Sequence, residues 1–314
     1  MSHESAYDIA QTLSKFYAVV TVSHVDTVAD LQALVNRKPD LVFAGIYHVT
    51  DSRNGAKVWL ADELEKHGIR YTGSGKDANR LSLNKHLAKQ RMLESDINTP
   101  AFLLSRRDDS HPITEEELTF PLFVKPTNKS GGQGVDEFSI VRSSQDLQKK
   151  VLSIHTTHRT DALVEEYLSG REFSIGIIGD ESGCIGMPLE LVADQDSNGD
   201  RIRSRAIKTA DAEAMNVITD LSERRLIGDF AVDAFQALGG RGYGRIDVRC
   251  NDSGVPYFLE ANHIPSLMQI DSSFLRSYEE ATGNSYDDMI LQIVRLGLER
   301  NTAKDALEEL RLVA

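Results

Sequence analysis

Apolar and polar positions along the chain change period several times, and the changes lay out strands alternating with helices. Ile9, Leu13 and Phe16 fall at helical spacing, which predicts a helix over 6–16. The apolar run 17–22, with Tyr17, Val19, Val20 and Val22, predicts a buried strand. A helix over 28–35 and a second buried strand at 41–45 follow, then a loop over 46–54. A helix over roughly 56–67 stops at Gly68, and Tyr71-Thr72-Gly73-Ser74-Gly75 closes the unit. Such alternation predicts a small α/β unit with a parallel sheet, whose ligands sit beyond the carboxyl ends of its strands. His48 lies at such an end.

The pattern then shortens. A helix over 82–94 carries Lys85, His86 and Lys89 on a polar face, and Asn98-Thr99-Pro100 breaks it before a short strand at 101–104. Residues 106–118 read as a surface loop and helix start. A strand over 121–126 presents Lys125 and runs into the glycine-rich stretch Ser130-Gly131-Gly132-Gln133-Gly134. Such a loop can lay backbone N–H groups over phosphates, or be a tight surface hairpin that needs positive φ. It is no Walker loop, because no helix opens on Gly-Lys-Ser or Gly-Lys-Thr.

A helix over 144–152 and strands at 162–168 and 172–178 come next. Arg201, Arg203, Arg205 and Lys208 suit either an anion-binding strand face or a solvated charged strand. A helix over 219–237 ends at Gly239-Gly240, and the clearest helix of the tail spans 286–298. The glycines of Gly240-Arg241-Gly242-Tyr243-Gly244 follow a helix and precede a strand, the reverse of a dinucleotide-binding fingerprint.

Two strand-like pieces draw most attention: Gly244-Arg245-Ile246-Asp247-Val248-Arg249 and Tyr257-Phe258-Leu259-Glu260-Ala261-Asn262, separated by turn residues 251–254. Side chains two apart on a strand share a face. As a hairpin, the pieces bring Arg245, Asp247, Glu260 and Asn262 onto one surface. That surface offers three hard oxygen donors and a guanidinium, which suit Mg²⁺ and a polyphosphate, or it is simply a polar face in water.

Composition narrows the partners. The 314 residues are 40% hydrophobic and 26% charged, and the formal net charge is −13. That charge argues against a nucleic-acid or membrane-surface binder, while leaving room for a small anion held by local cations. Cys184 and Cys250 have no metal-site spacing and are expected to be reduced thiols of a cytoplasmic protein. No apolar run reaches membrane-spanning length, and no signal peptide is evident at the start.

The order of these pieces resembles the ATP-grasp superfamily, and within it the D-alanine–D-alanine ligases. The resemblance rests on Tyr71-Thr72-Gly73-Ser74-Gly75, Phe123-Val124-Lys125-Pro126, Glu166-Tyr167-Leu168-Ser169-Gly170, Glu172-Phe173, and the two hairpin strands. It implies an ATP-grasp fold of mixed α/β and α+β class, with an N-terminal α/β domain over 1–78. A two-lobed ATP-binding module would follow, with a central subdomain at 79–165 and a C-terminal one at 166–314. Lys85 and Lys125 would hold ATP phosphates, with Gly131 and Gly132 in the loop that closes over them. Glu165, Glu166, Tyr167 and Leu168 would line the adenine pocket, and Glu172 would take the ribose hydroxyls. Asp247, Glu260 and Asn262 would bind two Mg²⁺ ions, or Mn²⁺. Arg245 would steady the transferring phosphoryl, and Ser266 would stand with Arg245 and Lys125 among the catalytic groups. The implied activity is ATP-dependent ligation of two amino acids, or cyclisation of one, through an acyl phosphate, in a homodimer. The alternative is a non-catalytic nucleotide-binding homologue.

Three departures from the family pattern concern the amino-acid pockets. The sequence starts at the family's first helix, so either the opening strand is absent or the sequence is a segment of a longer one, and Glu4 is the only nearby candidate for the usual acidic N-terminal contact. The family's His-Gly loop reads His48-Val49-Thr50-Asp51-Ser52-Arg53-Asn54-Gly55. Its Asn-x-x-Pro-Gly-Met reads Asn262-His263-Ile264-Pro265-Ser266-Leu267, and the Ser-Ser of its phosphate loop is Gly131-Gly132. The ATP and metal groups are thus kept, while the residues expected to touch the two amino acids are changed.

Overall fold

The computed structural model describes residues 1–108, 118–180, 183–195, 199–202, 213–270 and 272–300. The part of the 106–118 segment at 109–117, the residues Arg203, Arg205 and Lys208, and the tail 301–314 lie outside the described residues.

The chain opens with α1 (His3–Ser14), whose N-cap Ser2 accepts from the Ser5 N–H. A capping box between Thr27 and Asp30 starts α2 (Val28–Asn36). β1 (Leu41–Val42), shorter than the strand expected over 41–45, pairs in parallel with β4 (Arg70–Tyr71), a strand the sequence reading did not place. The strand expected over 17–22 does not form. That stretch is irregular, with Val19 85% exposed, because it pairs with neither β1 nor β4, and a strand without a ladder is not stable alone. The loop expected over 46–54 and the start of the next helix are instead an antiparallel hairpin, β2 (His48–Thr50) with β3 (Lys57–Trp59). It delays α3 (Leu60–Lys66), which buries Leu60, Ala61 and Leu64.

The helix expected over 82–94 forms as α5 (Lys85–Glu94), and a further short helix, α4 (Lys76–Ser82), precedes it. They are split at Asn84, which caps α5 by accepting from the Leu87 N–H. An antiparallel sheet follows, in the order β5 (Phe102–Ser105), β8 (Ala162–Glu166), β6 (Leu122–Pro126), β7 (Ile140–Val141). α6 (Ser144–Ser153) lies between β7 and β8 in the chain.

The largest described sheet runs β11 (Glu213–Val217), β10 (Gly183–Ala193), β9 (Glu172–Asp180), β12 (Gly242–Cys250), β13 (Pro256–Asn262). β10 and β11 escaped the sequence reading, β10 because Gly183, Gly186 and Pro188 interrupt its pattern. Gly186 is required by packing: a Cβ there would lie 2.4 Å from the Gly228 carbonyl oxygen of α7 (Leu221–Ala237). On one face of this sheet, Phe173, Ile175, Ile177, Ile246, Val248 and Phe258 pack with Ile227, Ala231, Ala234 and Phe235 of α7. Towards the other face lie α8 (Ser273–Thr282) and α9 (Tyr286–Leu298), with Phe274, Tyr278, Met289 and Ile293 in one cluster with Ile178 and Tyr243. None of the described helices is long and apolar enough to cross a membrane.

Candidate functional site

A cleft of about 780 Å³, counting space open to solvent, lies between the four-stranded and five-stranded sheets. Lys85, Lys125, Gly132, Glu165, Glu166, Tyr167, Leu168, Glu172, Asp247 and Glu260 line it, ten of the residues singled out from sequence. Gly131, Arg245, Asn262 and Ser266 are outside that lining, although Arg245 and Asn262 adjoin it on β12 and β13.

The β12–β13 pairing sets the floor. Asp247 stands opposite Glu260 and Arg245 opposite Asn262. The register shifts between Asp247 and Val248, so β13 carries one extra residue, Leu259. That bulge resolves a conflict in the sequence. Strict alternation would put Phe258 and Glu260 on one face, whereas Phe258 is wholly buried against α7 and Glu260 lines the cleft. Arg245 holds Asp247 with two hydrogen bonds, Nε to Oδ1 at 2.9 Å and Nη2 to Oδ2 at 3.0 Å.

Two carboxylates and an amide oxygen match Mg²⁺, an ion that takes one or two carboxylates and fills its octahedron with water and phosphate oxygens. Among the described residues no group of three or more His, Cys, Asp or Glu is arranged for a metal, so an all-protein cage is not formed. The donor set therefore fits an ion that arrives with a polyphosphate.

Lysines supply the opposite wall. Lys85, in the first turn of α5, donates to the Lys129 carbonyl at 2.6 Å and lies 3.0 Å from Glu260 Oε2. Lys125 lies 2.6 Å from Glu165 Oε1. Lys89 is not on a solvated face as its spacing suggested. It is fully buried, 2.8 Å from Glu165 Oε2, and donates to Thr99 Oγ1 at 2.7 Å. Burial pulls Lys89 down to about 8. Burial also opposes the charges on Lys125 and Glu165, but attraction wins for both: Glu165 and Glu260 raise Lys125, and Lys125 and Lys89 lower Glu165. The loop above them turns through Gly131, Gly132 and Gly134, all at positive φ. A Cβ on Gly134 would strike the Pro126 ring at 2.5 Å.

At the far end, Arg249 was missed as a site residue, though it follows Asp247 by two on the same strand. Its guanidinium stacks 4.9 Å from the Tyr167 ring and donates to Tyr167 Oη, Glu172 Oε2 and the Gly170 carbonyl. Arg201 and Ile202 line the cleft beside it. The N–H groups of Glu166 and Tyr167 donate to the carbonyls of Ala101 and Pro121, so they are already committed within the fold.

The N-terminal unit reaches the floor through Tyr47, a second residue the sequence reading passed over. Its hydroxyl donates to Asn262 Oδ1 at 3.1 Å and accepts from the Ile264 N–H at 3.0 Å. His48, beside it, points elsewhere and packs edge-on against Trp59. His263 lies next to Asn262 but faces the interior, T-shaped on Phe235, with neither ring nitrogen hydrogen-bonded among the described residues. Burial drops it to about 4. Ser266 is exposed and offers its carbonyl to Ser272 Oγ, and Glu4 is exposed in the first turn of α1.

Comparison with known proteins identifies the family. The family model described as D-ala D-ala ligase C-terminus matches residues 92–295. A D-alanine–D-alanine ligase of Lacticaseibacillus casei (strain BL23) is 31% identical over 257 residues, 81% of this chain and 67% of that protein. One from Pediococcus pentosaceus is 33% identical over 263 residues, 81% of this chain and 68% of that protein. The solved structure of D-alanine–D-alanine ligase from Bacillus anthracis, complexed with ATP, matches with a TM-score of 0.72 at 20% identity, covering 95% of this chain and 94% of that one. That match shares the ATP-grasp fold.

Proposed function

Because the chain belongs to the D-alanine–D-alanine ligase family, we propose that it is an ATP-dependent carboxylate–amine ligase acting on small amino acids through an acyl phosphate. One observation carries the assignment to this cleft: Asp247 and Glu260 face each other across two strands, with Arg245 and Asn262 paired beside them and Lys85 against Glu260.

The reaction dictates what such a site must do. A carboxylate is a poor acylating agent, and its attack on the γ-phosphate of ATP brings two anions together. Lys125 and Lys85 hold the phosphates, and Arg245 offsets charge that builds on the transferring phosphoryl. Mg²⁺, held by Asp247, Glu260 and Asn262, would add Lewis-acid neutralisation of the phosphates. Tyr167, Leu168 and Arg249 enclose the base, and Glu172 meets the ribose. The loop 130–134 covers the phosphates and keeps water from the acyl phosphate. An amine then displaces phosphate, so no side-chain nucleophile is required.

In this reading the chain divides at the sheets, 1–78 bearing an amino-acid pocket and 79–165 and 166–314 gripping ATP. The changed residues at 48–55 and 262–267 favour a substrate pair other than two D-alanines. A non-catalytic nucleotide binder has no need of Asp247, Glu260, Asn262 and Arg245 together. A screen of amino-acid pairs for phosphate release, with products weighed by mass spectrometry, tests the proposal. The expected result is ATP- and Mg²⁺-dependent release with at least one pair. Release with D-alanine alone, giving the dipeptide, removes the altered-substrate part, and no turnover with any pair removes the ligase reading.

A further inference from the structure

We propose that Lys89, which lies outside the cleft lining, is a positioning residue that keeps Lys125 available to an anion by taking half of Glu165. The inference rests on the reading that Lys125 meets ATP phosphates. The side chain of Glu165 is buried at the cleft wall and shared between two ammonium groups, Lys125 on Oε1 at 2.6 Å and Lys89 on Oε2 at 2.8 Å. Lys89 is fixed from three further directions. It donates to Thr99 Oγ1 and the Phe258 carbonyl, and its ammonium lies 5.7 Å from the Phe102 ring centroid.

A structural ion pair needs one lysine. Two lysines around one carboxylate leave a buried excess of positive charge, which is costly unless a counter-anion completes it. Lys125 is the member that lines the cleft, so the excess is displayed there. The ion pairs alone give the same sign: Lys85, Lys89 and Lys125 pair with Glu165 and Glu260, three cations to two carboxylates. Without Lys89, Glu165 neutralises Lys125 and the grip carries no net charge. Lys89 therefore tunes phosphate affinity without touching the nucleotide, and the position four residues after Lys85 places both on one side of α5.

The test is equilibrium binding of Mg²⁺–ATP and of adenosine to the full chain and its variants, with thermal unfolding recorded for each. Lys89→Met is expected to weaken ATP binding on the order of 10- to 100-fold and leave adenosine, which has no phosphates, within a few-fold. Lys89→Met combined with Glu165→Gln restores the single positive charge and is expected to return ATP affinity to near that of the unmodified chain. Equal weakening of ATP and adenosine, or a folded double variant with no recovery, overturns the inference. If Lys89→Met does not fold, Glu165→Gln alone decides. It is expected to tighten ATP binding and steepen its salt dependence, and unchanged ATP binding overturns the inference. Lys125→Met separates the two layers: if it leaves ATP affinity intact, the phosphate reading beneath the inference is the part that fails.

Discussion

The ammonium of Lys85 lies 3.0 Å from Glu260 Oε2 while donating to the Lys129 carbonyl at 2.6 Å. One side chain thus ties the glycine loop to the carboxylate expected to hold the metal. A metal ion held at Glu260 would compete with Lys85 and free it for phosphates, so under the proposed function metal and nucleotide are expected to bind together.

From this link, Lys85→Met is expected to raise the KM for ATP and lower kcat, with a combined loss of kcat/KM on the order of 10²- to 10³-fold. Steady-state phosphate release across ATP concentrations checks it. An unchanged kcat/KM would show that Lys85 only anchors the loop.

Glu260→Gln keeps the shape of the side chain but removes the charge a metal needs. Turnover is expected to fall by at least about 10²-fold. The unmodified chain should gain thermal stability when Mg²⁺ and ATP are added together, and the variant should gain far less. EDTA should abolish turnover and Mn²⁺ should restore it. A variant that turns over at the original rate would remove Glu260 from the metal site.

Tyr47→Phe deletes the hydroxyl that bridges Asn262 and the Ile264 N–H. The lost hydrogen bonds of a half-buried group should cost about 1–2 kcal/mol of stability, read as a lower urea midpoint. Asn262 also loses a partner that orients its amide, so the Mg²⁺ concentration for half-maximal activity should change. A variant equal to the parent in both measurements would make the contact incidental.

His263 makes stability depend on acidity. Burial lowers its pKa from the ordinary 6.5 to about 4 in the folded protein. Between those values the unfolded chain binds the proton and the folded chain does not, so stability falls as pH drops through that window. The loss should approach about 3 kcal/mol, and above pH 6.5 the residue contributes no slope. Urea unfolding at neutral pH and near pH 4 measures it. His263→Leu should remove this slope, and an unchanged slope would assign it to other groups.

Much of the site was legible because its chemistry is written in short-range order. Lys125 ends a strand before three glycines, and Arg245 with Asp247, and Glu260 with Asn262, keep the two-residue spacing of a strand face. Those patterns need no knowledge of distant partners. Tyr47 and Arg249 were passed over for the opposite reason. Each acts through a residue far away in the chain, Asn262 and Tyr167 respectively, and nothing local marks that meeting.

What the sequence determined by itself was the set of strands and helices around the cleft, the order of the residues proposed to meet phosphate, adenine and metal, and the family the chain belongs to. The tertiary structure decided which side chains face which way. The run 17–22 is apolar enough for a buried strand, yet it stays irregular because no sheet edge receives it. Lys89 reads as solvated, yet it is buried because Glu165 waits on a neighbouring strand. Phe258 and Glu260 share a parity, yet the bulge at Leu259 sends one to the core and the other to the cleft. In each case burial is a property of pairs of elements, and local periodicity holds only one member of the pair.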